Sequence, residues 1–434
     1  MRAVLNRLFS LDLYHTTVRR ELFAGLATFS TMIYIIFVNP RILSQAGMNY
    51  EAVMGATIII SAISSILMGI WANYPFALAP GMGINAYIAY AIIIDKQIPW
   101  QQALGACFWS GVIFLLLNIT GVRKKIMDVL PVDLRIGTAG GIGLFLAFLG
   151  FKSVEIVVPN PNTILSLGDM SQPQVYLTGV GVVLITSLLA LRINGAIFIT
   201  TMLLWVIGLL FGLTEWQGFF GMPPSIAPTL MQADLMGSLR PELAVPIISL
   251  VFVMVFDTAG TISALLGQGI LPVLHTERPR LRRAMDCDAI GTMLGGLLGT
   301  APITTYLESV TGMTAGGRTG LTAVVVGILF LFALFLAPFA ASIPPFATAP
   351  ALIVLGALML KGAKYMDWSD PTEYIPGFII LITIPMTFSI SAGISLGILT
   401  YPIVKVMSGK AKQVHWLVYL IALLFSIKFL IDRL

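Results

Sequence analysis

Asn73-Tyr-Pro-Phe-Ala-Leu-Ala-Pro-Gly-Met-Gly-Ile-Asn85 interrupts one apolar run, and Gly299-Thr-Ala-Pro-Ile-Thr-Thr-Tyr-Leu-Glu308 interrupts another in the second half of the chain. Pro75 and Pro80 lack the N–H that a helix needs, and Gly81 and Gly83 weaken it further. Pro302 and the threonines around it act in the same way. Each segment reads as an extended piece followed by a short half-helix. Extended backbone at membrane depth is tolerated only where protein buries it or where it lines a wet cavity. The starts of the half-helices offer free N–H groups and partial positive charge. Two such ends meeting in mid-membrane make a polar site in an apolar wall. The plainer alternative is a pair of loops between shortened spans.

The membrane itself follows from composition. Of 434 residues, 57% are hydrophobic and 10% are charged, against roughly 25% charged in a soluble domain. The formal charge of +5 sits in connecting segments and forms no solvated basic face, which argues against nucleic acid as a partner. A span needs about 20 apolar residues. Long candidates cover 22–39, 52–72, 101–120, 134–151, 174–191, 195–213, 244–267, 320–340, 374–390 and 392–408, and shorter ones cover 83–95, 286–299, 305–314 and 347–361. Arg2, Arg7, Arg19 and Arg20 precede the first. Arg123, Lys124 and Lys125 follow the fourth, Arg192 the sixth, and Arg278, Arg280, Arg282 and Arg283 the eighth; Lys405, Lys410 and Lys412 close the last. Counting fourteen spans from a cytoplasmic N-terminus puts all of them on one side, as the positive-inside rule requires. The stretch 413–431 carries His415 and Lys428; the alternatives are a fifteenth span and a helix at the cytoplasmic interface, and we assign it to the interface because it has no counterpart in the first half. No cleavable signal peptide is expected.

The halves correspond. Ala24–Val38 can be laid on Ile247–Thr261, and Met82–Asn85 on Thr305–Glu308, both at an offset of about 223 residues. Seven spans is an odd number, so the second copy is inverted. Inverted repeats place a transporter's site at the repeat interface. The fold class is therefore an all-α membrane protein of fourteen segments in a 7+7 inverted repeat, with short, broken third and tenth spans.

Two acids lie within apolar runs: Asp257, and Glu308 just inside the second half-helix. A carboxylate deep in a bilayer costs about 2.5–3.5 kcal/mol on insertion scales, so retaining two points to use, either in hydrogen bonding a ligand or in holding a proton. Asn85 occupies the matching place in the first half and offers both donor and acceptor. Structural hydrogen bonding is the competing role for all three. Other chemistries lack their residues. There is no GxxxxGK[ST] loop, no HExxH and no nucleophile elbow, so ATP-driven transport and hydrolysis are not expected. No metal site or cofactor is expected. Cys107 and Cys287 adjoin apolar segments and read as packing residues. His15, His275 and His415 fall near interfaces or loops. Gly137-Thr-Ala-Gly-Gly-Ile-Gly143 reads as a surface for close helix packing.

Several strings together resemble the AzgA-like purine permeases of the nucleobase:cation symporter-2 (nucleobase–ascorbate) family. They are Thr16-Thr-Val-Arg-Arg-Glu-Leu-Phe-Ala-Gly25, Phe37-Val-Asn-Pro40, Leu78-Ala-Pro-Gly-Met-Gly-Ile-Asn-Ala86, Phe256-Asp-Thr-Ala-Gly-Thr261, Tyr306-Leu-Glu-Ser309 and Gly316-Gly-Arg-Thr-Gly-Leu-Thr-Ala323. The resemblance spans nearly the whole chain. It implies a core domain from 1–133 and 244–343 and a gate domain from 134–243 and 344–434. It also implies a homodimer working by an elevator-like movement of the core, in a bacterial plasma (inner) membrane. It assigns Asp257 and Glu308 to the nucleobase, with Met82, Gly83 and Asn85 lining the site from the third span and the Leu307 backbone from the tenth. The third-span string departs from the wider family's pattern while matching the AzgA branch. The expected function is import of adenine, guanine and/or hypoxanthine by proton symport, with Asp257 or Glu308 carrying the proton. A purine fits such a wall, because its N–H groups donate to carboxylates. The alternatives are an anion channel or exchanger of the same architecture, which should favour a cationic site, and a membrane-embedded enzyme.

Overall fold

The computed structural model describes residues 2–121, 129, 131–161, 163–193, 195–216, 218–266, 270–271 and 277–431. Arg123, Lys124, Lys125, His275 and Asp432-Arg433, which bear on the sequence reading, lie outside them. Among the described residues, eight helical stretches are long and apolar enough to cross a membrane, and shorter apolar helices cover Met82–Ile94, Ala196–Leu210 and Ala392–Met407.

After a short helix α1 (Arg2–Phe9), the first crossing is made by α2 (Val18–Met32) and α3 (Ile35–Ser44), which break at Ile33-Tyr34. Thr17 caps α2 by accepting the Arg20 amide at 3.4 Å. Asn49 caps α4 (Tyr50–Leu67) through the Ala52 amide at 2.9 Å. Such caps satisfy amides that have no partner within the helix. The chain then enters strand β1 (Leu78–Pro80) and the half-helix α5 (Met82–Ala86), which continues as a wider π-helix to Ile94. Next come α6 (Trp100–Ile119) and α7 (Val132–Ser153). A hairpin of β2 (Val157–Asn160) and β3 (Ile164–Leu167) leads to α8 (Pro173–Ala190) and α9 (Ala196–Leu210).

The second half runs α10 (Pro241–Leu266), α11 (Glu277–Leu298), strand β4 (Ile303–Thr305) and half-helix α12 (Ser309–Thr314). It continues with α13 (Gly320–Ala333), α14 (Ala337–Ala341), α15 (Pro345–Leu360), α16 (Pro371–Thr387), α17 (Ile390–Met407) and α18 (Trp416–Ile431). One expected boundary needs correction. The stretch read as a short apolar piece, 286–299, belongs to a helix of 22 residues. The residues missed, 277–285, include Arg280, Arg282 and Arg283, and charges of that kind shorten a span in a hydropathy count.

Helix packing sorts into two groups. In one, α13 packs on α2 and α4, α11 on α6 and α4, and α12 on α2. In the other, α7 packs on α15 and α16, α16 on α17, and α8 on α9 and α15. The glycines of α7 serve the close approach expected of them. A Cβ on Gly137 would stand 2.2 Å from the Gly377 carbonyl oxygen, and one on Gly143 would stand 2.6 Å from that of Gly356. Cys107 and Cys287 are buried, free thiols. Lys410, after α17, bonds Asp370 at the start of α16 at 2.6 Å. That contact and the Thr372 hydroxyl hold the Asp370 carboxyl below the usual carboxylate range.

Candidate substrate site

The two interrupted segments meet. Strands β1 and β4 pair antiparallel, with Leu78 opposite Thr305, Ala79 opposite Thr304 and Pro80 opposite Ile303. The ribbon is extended by the Gly81 amide donating to the Pro302 carbonyl and the Tyr306 amide donating to the Ala77 carbonyl, each at 2.9 Å. A two-stranded ribbon still has outer edges, and unsatisfied backbone groups in an apolar interior cost several kcal/mol each. Hydroxyls close these edges, since one hydroxyl both donates and accepts. Ser65 on α4 donates to the Leu78 carbonyl at 3.1 Å and accepts its amide at 3.0 Å. Thr292 on α11 does the same for Ile303, at 3.2 and 3.1 Å. At the far end of β4, Asp288 accepts the Thr305 hydroxyl at 3.0 Å, the Thr305 amide at 3.3 Å and the Thr258 hydroxyl at 2.7 Å.

A cavity of about 440 Å³ opens beside the ribbon, within the ~300–1,000 Å³ usual for small-molecule sites. Met82, Gly83 and Ile84 line it from the first half-helix, and Thr304, Tyr306, Leu307 and Glu308 from the second segment. Asp257 on α10 and Tyr34 at the α2–α3 break complete that wall. Ile142 and Leu146 of α7, Arg192 after α8, and Leu355, Leu358 and Met359 of α15 form the facing wall. The Tyr34 hydroxyl donates to Glu308 Oε1 at 2.7 Å, and the Tyr306 hydroxyl to the Pro80 carbonyl at 2.6 Å. The half-helix ends differ from one another. The amides of Met82, Gly83 and Ile84 have no backbone partner among the described residues, whereas Ser309, Val310 and Thr311 already donate to Tyr306, Leu307 and Glu308. Free N–H groups therefore come mainly from the first half-helix.

Asp257, Glu308, Met82, Gly83 and Leu307 are thus brought to one cavity. Asn85 is not among its lining residues. It is fully buried behind α5, where its Nδ2 donates to Asn39 Oδ1 at 2.8 Å. Asn39 in turn donates to the hydroxyls of Thr57 at 2.7 Å and Thr300 at 2.8 Å. The cause of the displaced expectation is register. At an offset of about 223, Asn85 matches Glu308, but the ladder centres on Ala79 and Thr304, which are 225 positions apart. In that register Gly83 is the counterpart of Glu308. Asn85→Ala would strip Asn39 of a donor, so we expect a loss of about 1 kcal/mol of stability. A lower melting temperature in detergent would register it, with a smaller effect on ligand affinity than losing either acid.

The sequence reading passed over two residues beside the acids. Tyr34 is the partner of Asp257 at the 223 offset, so the repeat already signalled it. Asp288 lies at the start of 286–299, a stretch read as a shorter span without its acids being singled out. Only the fold shows it bonding the strand.

The family model described as "Permease family" (Xan_ur_permease) matches residues 19–396. The chain belongs to the permease family of the nucleobase:cation symporter-2 transporters. Relatives align over almost the whole length. A permease-like chain of Methanocaldococcus jannaschii, MJ0326, is 48% identical over 98% of both chains. Adenine permease AdeQ of Escherichia coli is 40% identical over 98% of this chain and 96% of its own. Guanine/hypoxanthine permease PbuG of Bacillus subtilis is 39% identical over 97% and 98%. The fold is shared more widely. The transmembrane domain of the cyanobacterial bicarbonate transporter BicA superposes with a TM-score of 0.62 at 16% identity, over 87% of this chain and 97% of that one. As a member of a permease family the chain is a multi-pass membrane transporter rather than an enzyme.

Proposed function

We propose that this permease imports purine nucleobases, adenine, guanine and/or hypoxanthine, by proton symport. The observation that carries the reading is one cavity holding Asp257 and Glu308 against a crossed pair of broken segments. The relatives' names, adenine permease and guanine/hypoxanthine permease, supply the substrate class. Carboxylates accept the N–H groups of a purine, and hydrogen bonds to charged groups contribute about 1.5–3 kcal/mol each. Removal from water favours a carboxyl's neutral form, which suits Asp257 or Glu308 to carry the coupled proton. An anion carrier on this scaffold would place cations where these two acids stand.

The proposed architecture has fourteen spans in a 7+7 inverted repeat, with the N-terminus in the cytoplasm of a bacterial cell and the inner membrane around it. The two packing groups support a core of 1–133 and 244–343 and a gate of 134–243 and 344–434. The acids stand on core elements and the facing wall on gate elements, an arrangement suited to an elevator movement of the core in a homodimer. In this topology the ends of α8 and α15, which contribute to the cavity lining, lie on the cytoplasmic side, and we take the cavity to open there. The test is competition among radiolabelled adenine, hypoxanthine, guanine, uracil and xanthine in proteoliposomes, with and without a pH gradient. We expect purine uptake that rises with an inward proton gradient. Sulfate or chloride flux without purine uptake would overturn the reading.

A further inference from the structure

The cavity's walls are chemically opposite. Tyr34, Asp257, Tyr306 and Glu308 are the titratable groups of one wall, and Arg192 is the one cation among the described lining residues. Arg192 stands in the turn between α8 and α9. Its amide donates to the Leu189 carbonyl at 3.0 Å, and the next amide, of Ile193, reaches back to Leu188 at 2.9 Å. Arg192 itself has a φ of +57°. This is the helix-ending turn whose left-handed position normally goes to glycine, because a side chain there is strained. An arginine at this point works against the local backbone. Among the described residues its guanidinium makes no ion pair or hydrogen bond that would offset the strain. What it does have is a place in the same cavity as two carboxyl groups carried by the other helix group.

We propose that Arg192 is a release residue, a counter-charge that empties the site on the side to which this cavity opens. This inference rests on the proposed proton symport of a purine base. A cation facing a carboxyl group favours its ionised form. The O–H bond of the protonated Asp257 or Glu308 breaks, the proton passes to solvent, and the carboxylate left behind shares its cavity with the guanidinium. Arginine's N–H fork then competes with the base's N–H groups for the same oxygens. Because the acids and Arg192 stand on different helix groups, the opposition exists only in this arrangement of the two. A contact made in one state alone is what biases a conformational cycle.

Arg192→Gly suits the test, since glycine accepts the positive φ without strain, and its melting temperature in detergent should not fall. Two rates are compared in proteoliposomes. One is net purine uptake driven by a proton gradient, which requires release of base and proton inside. The other is exchange of labelled for unlabelled base at equal pH, which requires no net proton release. Arg192→Gly is expected to raise the ratio of exchange to net uptake about tenfold, a coupling of ordinary size, and Arg192→Lys is expected to bring it back toward wild type. An unchanged ratio in a folded Arg192→Gly protein overturns the inference. A wild-type protein that neither takes up nor exchanges purines overturns the proposed function instead.

Discussion

Asp257→Ala and Glu308→Ala are each expected to lower purine uptake by about 100-fold and to remove its dependence on a proton gradient. The magnitude follows from hydrogen bonds to a charged acceptor, about 1.5–3 kcal/mol each, where every 1.4 kcal/mol is about tenfold in affinity. A carboxylate that accepts two N–H groups of the base sits near 100-fold at the low end of that range. Both acids line one cavity from different elements, Asp257 from α10 and Glu308 from the start of α12, so neither can substitute for the other. Glu308 carries a second load, the Tyr34 hydroxyl at 2.7 Å. Glu308→Gln keeps an acceptor for Tyr34 and removes only the charge, which separates binding and coupling from simple loss of a partner. The measurement is radiolabelled base uptake with and without a pH gradient, at matched protein level. Normal uptake and coupling in both alanine variants would remove the acids from the mechanism.

Gly83→Ala should also have a large effect, for a reason that is steric rather than electrostatic. A Cβ on Gly83 would stand 2.2 Å from Ile142 Cγ2. Gly83 belongs to the half-helix α5 and Ile142 to α7, so the added methyl group falls where the two helix groups approach beside the cavity. Overpacking of this kind costs about 1–3 kcal/mol, and transport should fall by about tenfold or more. The methyl of a β-branched side chain cannot swing aside freely, since χ1 of isoleucine is restricted in a helix. Shortening the neighbour should therefore compensate. The double variant Gly83→Ala, Ile142→Ala is expected to recover much of the uptake lost in Gly83→Ala alone, and the strength of that recovery measures the coupling between the two positions. Full activity in Gly83→Ala would mean that α5 and α7 need not come this close during the cycle.

Much of the site was legible before any coordinates. Prolines and glycines at 75, 80, 81, 83 and 302 break helices through missing donors and backbone freedom, and these are local properties that survive translation into any fold. Asp257 and Glu308 were legible because an acid in an apolar run is costly wherever the run ends up. Asn85 shows the limit. It was assigned to the cavity wall by an offset counted along the chain, and a shift of two positions put it behind the half-helix instead, bonded to Asn39. Strand register is set by hydrogen bonding between segments that are far apart in sequence, so counting along one chain does not reveal it. Asp288 shows the converse. It fell inside the expected span 286–299 without being singled out, and only the fold shows Thr258 and Thr305 satisfying that carboxylate inside the protein.

The sequence by itself determined that this chain lives in a membrane, that two matching interruptions break its apolar pattern, and that two acids lie within apolar runs. Each is a statement about solvation or local backbone chemistry, and such costs attach to residues one at a time. Only the tertiary structure decided that the interruptions pair as a two-stranded ribbon closed by Ser65 and Thr292, that Gly83 rather than Asn85 lines the cavity, and that Arg192 lines the same cavity as the acids. Those facts depend on which distant segments satisfy one another's hydrogen bonds and leave room for one another's backbones, a property of the packed whole that no single stretch of the chain contains.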